Sequence, residues 1–115
     1  MDRPEKIANG FMGLVFLFAA AVQYNDPDPL VWISVYLIAA AASLLPLVGH
    51  STRWLALALA VVCLPWAVAL ALRVLGRQPI LESEEGREML GLLLVVVWMA
   101  SLVVREGRRR RAVSA

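Results

Sequence analysis

A short polar segment, residues 23–29, carries the densest set of chemically active side chains in an otherwise apolar sequence. It is QYNDPDP, and LVWISVY follows it. Two carboxylates, Asp26 and Asp28, stand beside two amides, Gln23 and Asn25. Carboxylate and amide oxygens without His or Cys suit hard cations such as Ca²⁺ or Mg²⁺. The segment is therefore a candidate site for a hard cation or a small polar ligand.

A second polar block, residues 82–88 (ESEEGRE), precedes the last apolar run. If a helix begins there, one face carries Glu84, Glu88 and Gly91 and continues through Val95, Trp98 and Leu102 at helical spacing. The candidate cluster in this block is Glu84, Glu85, Arg87 and Glu88, and the candidate metal ligands of the two blocks are Asp26, Asp28, Glu84 and Glu88. Arg87 can also neutralise these acids internally, which leaves an ion-pair network without a ligand.

Helix capping is the alternative explanation of the first segment. Each proline disfavours helix in the residue before it, so the chain must turn. Asp28 then stands at an N-cap with Pro29 at the first helical position, and a new helix begins near Leu30. Trp32 and Tyr36 are four residues apart and share one face of it, as an interfacial aromatic pair would. Both explanations stay open.

Composition predicts a membrane protein. Of the 115 residues, 61% are hydrophobic and 17% charged, whereas soluble domains have roughly 45–50% apolar residues. Four apolar runs, at about 7–24, 30–48, 54–75 and 84–104, are separated by short polar blocks. An 18-residue helix spans about 27 Å, enough to cross a hydrocarbon core. We expect an all-α polytopic membrane protein, a four-transmembrane-helix antiparallel bundle, with 1–115 as a single membrane domain.

The first apolar run also has features of a signal peptide. Arg3 and Lys6 precede the apolar residues 11–18, and three alanines follow at 19–21. Cleavage there would leave a three-span protein that begins at the polar segment. Retention and cleavage both remain open.

The distribution of basic residues predicts the orientation. Four spans place both termini on one side, and that side would carry eight basic residues: Arg3, Lys6, Arg53, Arg105, Arg108, Arg109, Arg110 and Arg111. The other side would carry three, Arg73, Arg77 and Arg87. The positive-inside bias predicts cytoplasmic termini in a plasma or inner membrane, with both polar blocks extracytoplasmic.

The arginine-rich tail, residues 105–115, suits contact with anionic lipid. Basic residues near such a surface each contribute about 1 kcal/mol. The five arginines of the tail are Arg105, Arg108, Arg109, Arg110 and Arg111. No aromatic residues are interleaved with them, so we expect no nucleic-acid partner. The bilayer itself, and a membrane-protein partner or a second copy, are the partners expected.

The two motifs resemble the transmembrane protein 220 family. The resemblance rests on Q-x-N-D-P-D-P-x2-W-x3-Y, from Gln23 to Tyr36, and on E-E-G-R-E-x2-G, from Glu84 to Gly91. It implies four spans in this order over almost the whole chain and a membrane location. It implies no biochemical activity. The arginine tail is not part of the pattern.

Four functions compete. A structural or accessory membrane protein ranks first, because the chain is small and has glycine-containing span faces. A cation- or ligand-binding module ranks second. A small-molecule transporter is disfavoured, because no acid lies within the first three spans or within residues 89–104 of the fourth to act as a coupling site. A membrane enzyme is also disfavoured, because no Ser–His or Cys–His set accompanies the acids.

Overall fold

The computed structural model describes residues 2–25, 29–74 and 84–114. The part described is helical and contains no strand, which confirms the all-α prediction. It has four helices long and apolar enough to cross a membrane. They are α1 (Arg3–Ala21), α2 (Pro29–Leu44), α3 (Arg53–Val74) and α4 (Glu84–Ser114), with short 3-10 turns at Val22–Asn25 and Leu45–Val48.

Local signals explain how α1 begins and how α2 is connected to α3. The Asp2 side chain caps α1 by accepting a hydrogen bond from the Glu5 N–H at 3.0 Å. After α2 and its 3-10 turn, Gly49 adopts φ 92°, a left-handed conformation that other residues rarely enter. The Thr52 hydroxyl donates to the Ala42 carbonyl at 2.7 Å and ties the loop back onto α2.

The helices pack as two antiparallel pairs joined through α2. The α1 helix packs on α2, α3 packs on α4, and α2 also contacts α3 and α4. Among the described residues no Cα of α1 lies within 8 Å of a Cα of α4. These two helices therefore meet only through side chains.

Close packing of α1 on α2 depends on a glycine. A Cβ at Gly13 would overlap the Leu44 side chain, so α2 occupies the surface that the missing side chain leaves. The glycine-containing face of this span is thus occupied by α2 of the same chain.

The interior is apolar through most of its length. Its fully buried side chains include Phe16 of α1, Cys63 of α3 and Leu92, Val95 and Met99 of α4. The outward surface is apolar as well: Phe18, Leu30, Leu72 and Val97 are each more than 60% exposed. Apolar residues both inside and outside are what a bundle in lipid requires, because no aqueous solvent faces the spans.

The last helix extends well beyond the predicted fourth span. Hydropathy placed the end of that span near residue 104, whereas α4 has 31 residues and continues to Ser114. At about 1.5 Å per residue it is about 46 Å long, longer than the roughly 30 Å hydrocarbon core. The arginine-rich residues therefore form further turns of α4 and continue along the same helix axis.

Candidate functional site

The aromatic residues of the first motif lie inside the bundle. Trp32 is 4% exposed and Tyr36 is 7% exposed, and their ring centroids are 6.4 Å apart on one face of α2. Trp32 stacks on Trp66 of α3 with 4.8 Å between centroids, and Tyr36 stacks on Phe16 of α1 at 6.4 Å. The predicted shared face is present, but it joins three helices instead of facing the lipid interface.

Tyr36 also connects the two motifs. Its hydroxyl lies against Gly91 of α4, at the point where a Cβ on residue 91 would stand. Gly91 lies two turns after the start of α4, and Tyr36 lies two turns after the start of α2. The helices that carry the two motifs thus begin at the same end of the bundle, which we call the motif end.

The acidic residues of the motifs fall largely outside the described region. Asp26 and Asp28 lie outside the described residues, and the side chains of Asn25, Glu84 and Glu85 are not described either. Their convergence into one cluster stays a prediction.

Three other candidate polar residues are described. Gln23 donates through Nε2 to the Ala19 carbonyl at 3.0 Å, so its amide satisfies its own helix. Arg87 is exposed, Glu88 is half-buried, and both have interaction partners. Within the described ranges no group of three metal-ligating side chains is found.

A buried polar network occupies the opposite end, which we call the terminal end because both termini lie there. Asn9 of α1 is fully buried and donates through Nδ2 to the Ser43 carbonyl at 3.0 Å. Ser43 of α2 is also fully buried, and its hydroxyl accepts from the Trp98 indole N–H at 2.9 Å. The network links α1, α2 and α4 where the apolar interior ends.

Arg105 completes this network from α4. Its guanidinium donates to Asn9 Oδ1 at 3.5 Å and to the Ser101 hydroxyl at 3.3 Å. Its central carbon lies 4.8 Å from the centroid of the Trp98 ring, a cation–π contact. The Arg105 side chain therefore reaches from α4 to α1.

Two ion pairs fix the remaining turns of α4. Arg109 pairs with Glu5 of α1 at 2.5 Å, with both side chains partly exposed. Glu106 accepts hydrogen bonds from the Ser51 hydroxyl and from Arg110, the latter at 3.3 Å. These contacts place the first turns of α1, the loop before α3 and the end of α4 together.

Two cavities lie at the terminal end. One of about 10 Å³ has room for a single water molecule and is lined by polar groups of Asn9, Thr52 and Arg105, among others. The other, about 210 Å³, is an open groove lined by Pro46, Gly49, His50, Ser51, Glu106 and Arg109. Its side chains combine one acid with basic and hydroxyl groups, chemistry that suits a small polar or anionic group.

Comparison with known proteins decides the family. The family model described as "Transmembrane family 220, helix" matches residues 15–104, which include both motifs. The chain belongs to Transmembrane family 220. The family resemblance found in the two motifs is thereby confirmed.

A relative in the same family is Transmembrane protein 220 of Xenopus laevis. It is 37% identical to this chain over 102 residues, which cover 82% of this chain and 55% of the relative. The chain thus spans about half the length of the curated relative that it matches. No solved structure matches the chain.

Part of the terminal end lies outside the residues that the Transmembrane family 220 model matches. Asn9 precedes residue 15, and Arg105 and Arg109 follow residue 104. The terminal network thus combines residues within the matched range, such as Ser43 and Trp98, with residues beyond it.

Sequence reasoning did not find the buried network at the terminal end. Its signal was present: Asn9, Ser43 and Ser101 are polar residues within or beside apolar runs, and such residues usually have a partner in the bundle. The tail arginines were assigned to lipid contact, and that prediction remains untested.

Proposed function

We propose that this member of Transmembrane family 220 is a small structural or accessory membrane protein and not a transporter. The observation that carries the proposal is the distribution of buried polar side chains. Among the described residues these are Asn9, Ser43 and Thr52, and all three lie at the terminal end. Among the described residues the interior from there to the motif end is lined by apolar side chains, apart from the Tyr36 hydroxyl and the Cys63 thiol. A transport pathway needs charged or strongly polar groups near the middle of the membrane, and the described interior supplies no carboxylate, ammonium or guanidinium group there.

Partner association through the outer face of α1 is part of the proposal. Ile7, Phe11, Leu14 and Phe18 form one row on that helix and are each 64–72% exposed. The glycine face of α1 is already filled by α2, so a partner must use this outer row. Aromatic side chains such as Phe11 and Phe18 offer a large area for packing between helices.

Photo-crosslinking in native membranes tests this role. A photoreactive phenylalanine analogue is placed at Phe11 or Phe18, and at Phe16, which is fully buried, as the matched control. We expect a discrete product larger than the protomer from the two outer positions and none from position 16. Protomer alone from both outer positions would refute the accessory role.

Cation or ligand binding at the motif end is the second candidate function. The Tyr36 contact with Gly91 favours it, because it sets the starts of α2 and α4 at one end of the bundle. The acidic residues beside those starts would then face a common space. Their oxygens suit Ca²⁺ or Mg²⁺.

Thermal stability in detergent tests the second candidate. A ligand that binds only the folded protein must raise its melting temperature. We would compare wild type with the Asp26→Asn/Glu88→Gln double variant across divalent cations and small polar ligands. A shift present in wild type and lost in the variant supports binding. No shift, with a less stable variant, means that the acids cap helices and form ion pairs.

A further inference from the structure

Two guanidinium groups converge at the terminal end without an acid between them. Arg53 at the start of α3 and Arg111 near the end of α4 both approach Gly107. One terminal nitrogen of Arg53 lies 3.9 Å, and one of Arg111 lies 4.0 Å, from the point where a Gly107 Cβ would stand. Apart from the adjacent residues and the local helix backbone, no other atom of the described residues lies within 4 Å of that point. Gly107 is buried, and the two cations lie at contact distance from the position of its missing side chain.

The acids of this end are engaged elsewhere. Glu5 pairs with Arg109, and Glu106 pairs with Arg110 and Ser51. The Asp2 side chain caps α1. In the region that the structure describes, neither Arg53 nor Arg111 forms an ion pair. Two like charges held close together repel each other, and an anion between them removes that repulsion.

Both guanidinium groups are held in place by protein contacts. The Arg111 Nε donates to the Gly107 carbonyl at 3.4 Å, which leaves its terminal nitrogens for another acceptor. The Arg53 guanidinium carbon lies 5.5 Å from the centroid of the Trp54 ring. Guanidinium groups fixed in this way are suited to donate two hydrogen bonds to phosphate oxygens.

Trp54 indicates the depth of this pair. Its side chain is 69% exposed at the first turn of a span, where tryptophan commonly lies among lipid headgroups. The general position of tryptophan in spans thus indicates the level of the lipid phosphates for Arg53 and Arg111.

We propose that Arg53 and Arg111, where they meet beside Gly107, form a binding site for the phosphate group of an anionic phospholipid. The site is distinct from the general attraction of a basic tail to a charged membrane, because Arg105, Arg109 and Arg110 have protein partners. Gly107 and Arg111 lie outside the residues 15–104 that the family model matches. The site depends neither on the accessory role nor on the orientation in the membrane.

Native mass spectrometry of the detergent-purified full chain tests the site. The measured quantity is retention of phosphatidylglycerol in competition with phosphatidylcholine. We expect Arg53→Gln and Arg111→Gln each to lower retention about tenfold or more, as hydrogen bonds to a charged group predict. The double variant should lose little more than either single variant, because both residues hold one phosphate.

Arg108→Gln is the matched charge control, because Arg108 is exposed and belongs to the same turns of α4. General attraction predicts a loss of at most about fivefold for this variant. An equal loss in Arg108→Gln and Arg111→Gln would overturn the site in favour of diffuse attraction.

Gly107→Ala separates binding from folding. The added Cβ fills the space between the guanidinium groups at ordinary contact distances, and alanine favours helix over glycine. We expect lower lipid retention with an unchanged or higher melting temperature. Wild-type retention in Gly107→Ala would overturn the site.

Inorganic phosphate distinguishes a lipid from a free anion. Added at millimolar concentration, it should leave phosphatidylglycerol in place, because a free anion lacks the acyl chains that hold the lipid at the bundle. Displacement of the lipid by phosphate would overturn the lipid assignment.

Discussion

At the scale of single residues, two contacts hold the ends of the bundle. At the motif end the Tyr36 hydroxyl lies on Gly91, and at the terminal end the Trp98 indole donates to the Ser43 hydroxyl at 2.9 Å. Each contact joins α2 to α4. The first requires the absence of a side chain, and the second requires a hydroxyl in an otherwise apolar interior.

Gly91→Ala should destabilise the protein. The new Cβ would overlap the Tyr36 hydroxyl, and overpacking of this kind costs about 1–3 kcal/mol. The measurement is the melting temperature in detergent, which should fall. Gly10→Ala is the matched control, because its Cβ would stand 3.8 Å from Leu47 Cδ1, an ordinary contact. Tyr36→Phe in the Gly91→Ala background should restore part of the loss, and an unaltered melting temperature in Gly91→Ala would contradict the contact.

Ser43→Ala should also destabilise the protein, while Ser34→Ala should not. Both serines lie on α2, but Ser34 is exposed and bonds only its own helix through the Leu30 carbonyl. Loss of the hydroxyl leaves the Trp98 indole without its acceptor. A double-mutant cycle with Trp98→Phe should return a coupling of about 0.6–2 kcal/mol, the range of hydrogen bonds between helices in membranes. Equal effects of the two serine substitutions would argue against this bond.

At the scale of elements, the extension of α4 acts as a brace between the two helix pairs. The backbones of α1 and α4 remain apart, and Arg105 and Arg109 reach across to Asn9 and Glu5. Long flexible side chains can span the distance between two helices while their charged groups stay near water. The brace therefore links α1 to α4 at the terminal end, whereas α1 packs on α2 elsewhere.

Breaking the pair between Glu5 and Arg109 should cost up to about 1 kcal/mol, since both groups are partly exposed. Glu5→Gln and Arg109→Gln should each lower the melting temperature at low ionic strength, with little further loss in the double variant. High salt should reduce these differences. Arg108→Gln, which removes the same charge from an exposed position, is the control. Additive losses from the two substitutions would show that the pair does not form in solution.

At the scale of the whole molecule, the structure places both termini and the loop before α3 at one end. At that end Glu5 pairs with Arg109, and Ser51 of the loop lines the same groove as Arg109. The longest dimension of the molecule, 49 Å, exceeds the roughly 30 Å hydrocarbon core. The basic residues of the terminal end therefore extend beyond the membrane core, and the positive-inside bias predicts that they are cytoplasmic.

Cysteine labelling in intact cells tests this orientation. Cys63 is fully buried within α3, so we expect it to add little background to the labelling of introduced cysteines. Tyr24, at the motif end, is 73% exposed, and His50, at the terminal end, is exposed too. A membrane-impermeant maleimide should label Tyr24→Cys in intact cells and His50→Cys only after permeabilisation. The reverse pattern would place the termini outside.

The sequence by itself determined the class of the fold and the family. Four apolar runs of sufficient length specify four spans, because the backbone must bond internally in lipid. Spacing was sufficient to place Trp32 and Tyr36 on one face and Gly91 on a contact face of α4, because helical periodicity fixes which residues align. The two motifs carry the family membership, which the comparison confirmed.

Only the tertiary structure decided which faces meet. Hydropathy reports how long a span is but not how it is rotated, because apolar residues face both the interior and the lipid. The burial of Trp32 against Trp66, the alignment of Asn9 with Arg105, and the choice of α2 as the helix that fills the glycine face of α1 therefore could not be predicted. The partners of the α4 arginines could not be predicted for the same reason. Composition shows the charge of these residues, whereas their partners depend on which helices lie beside them.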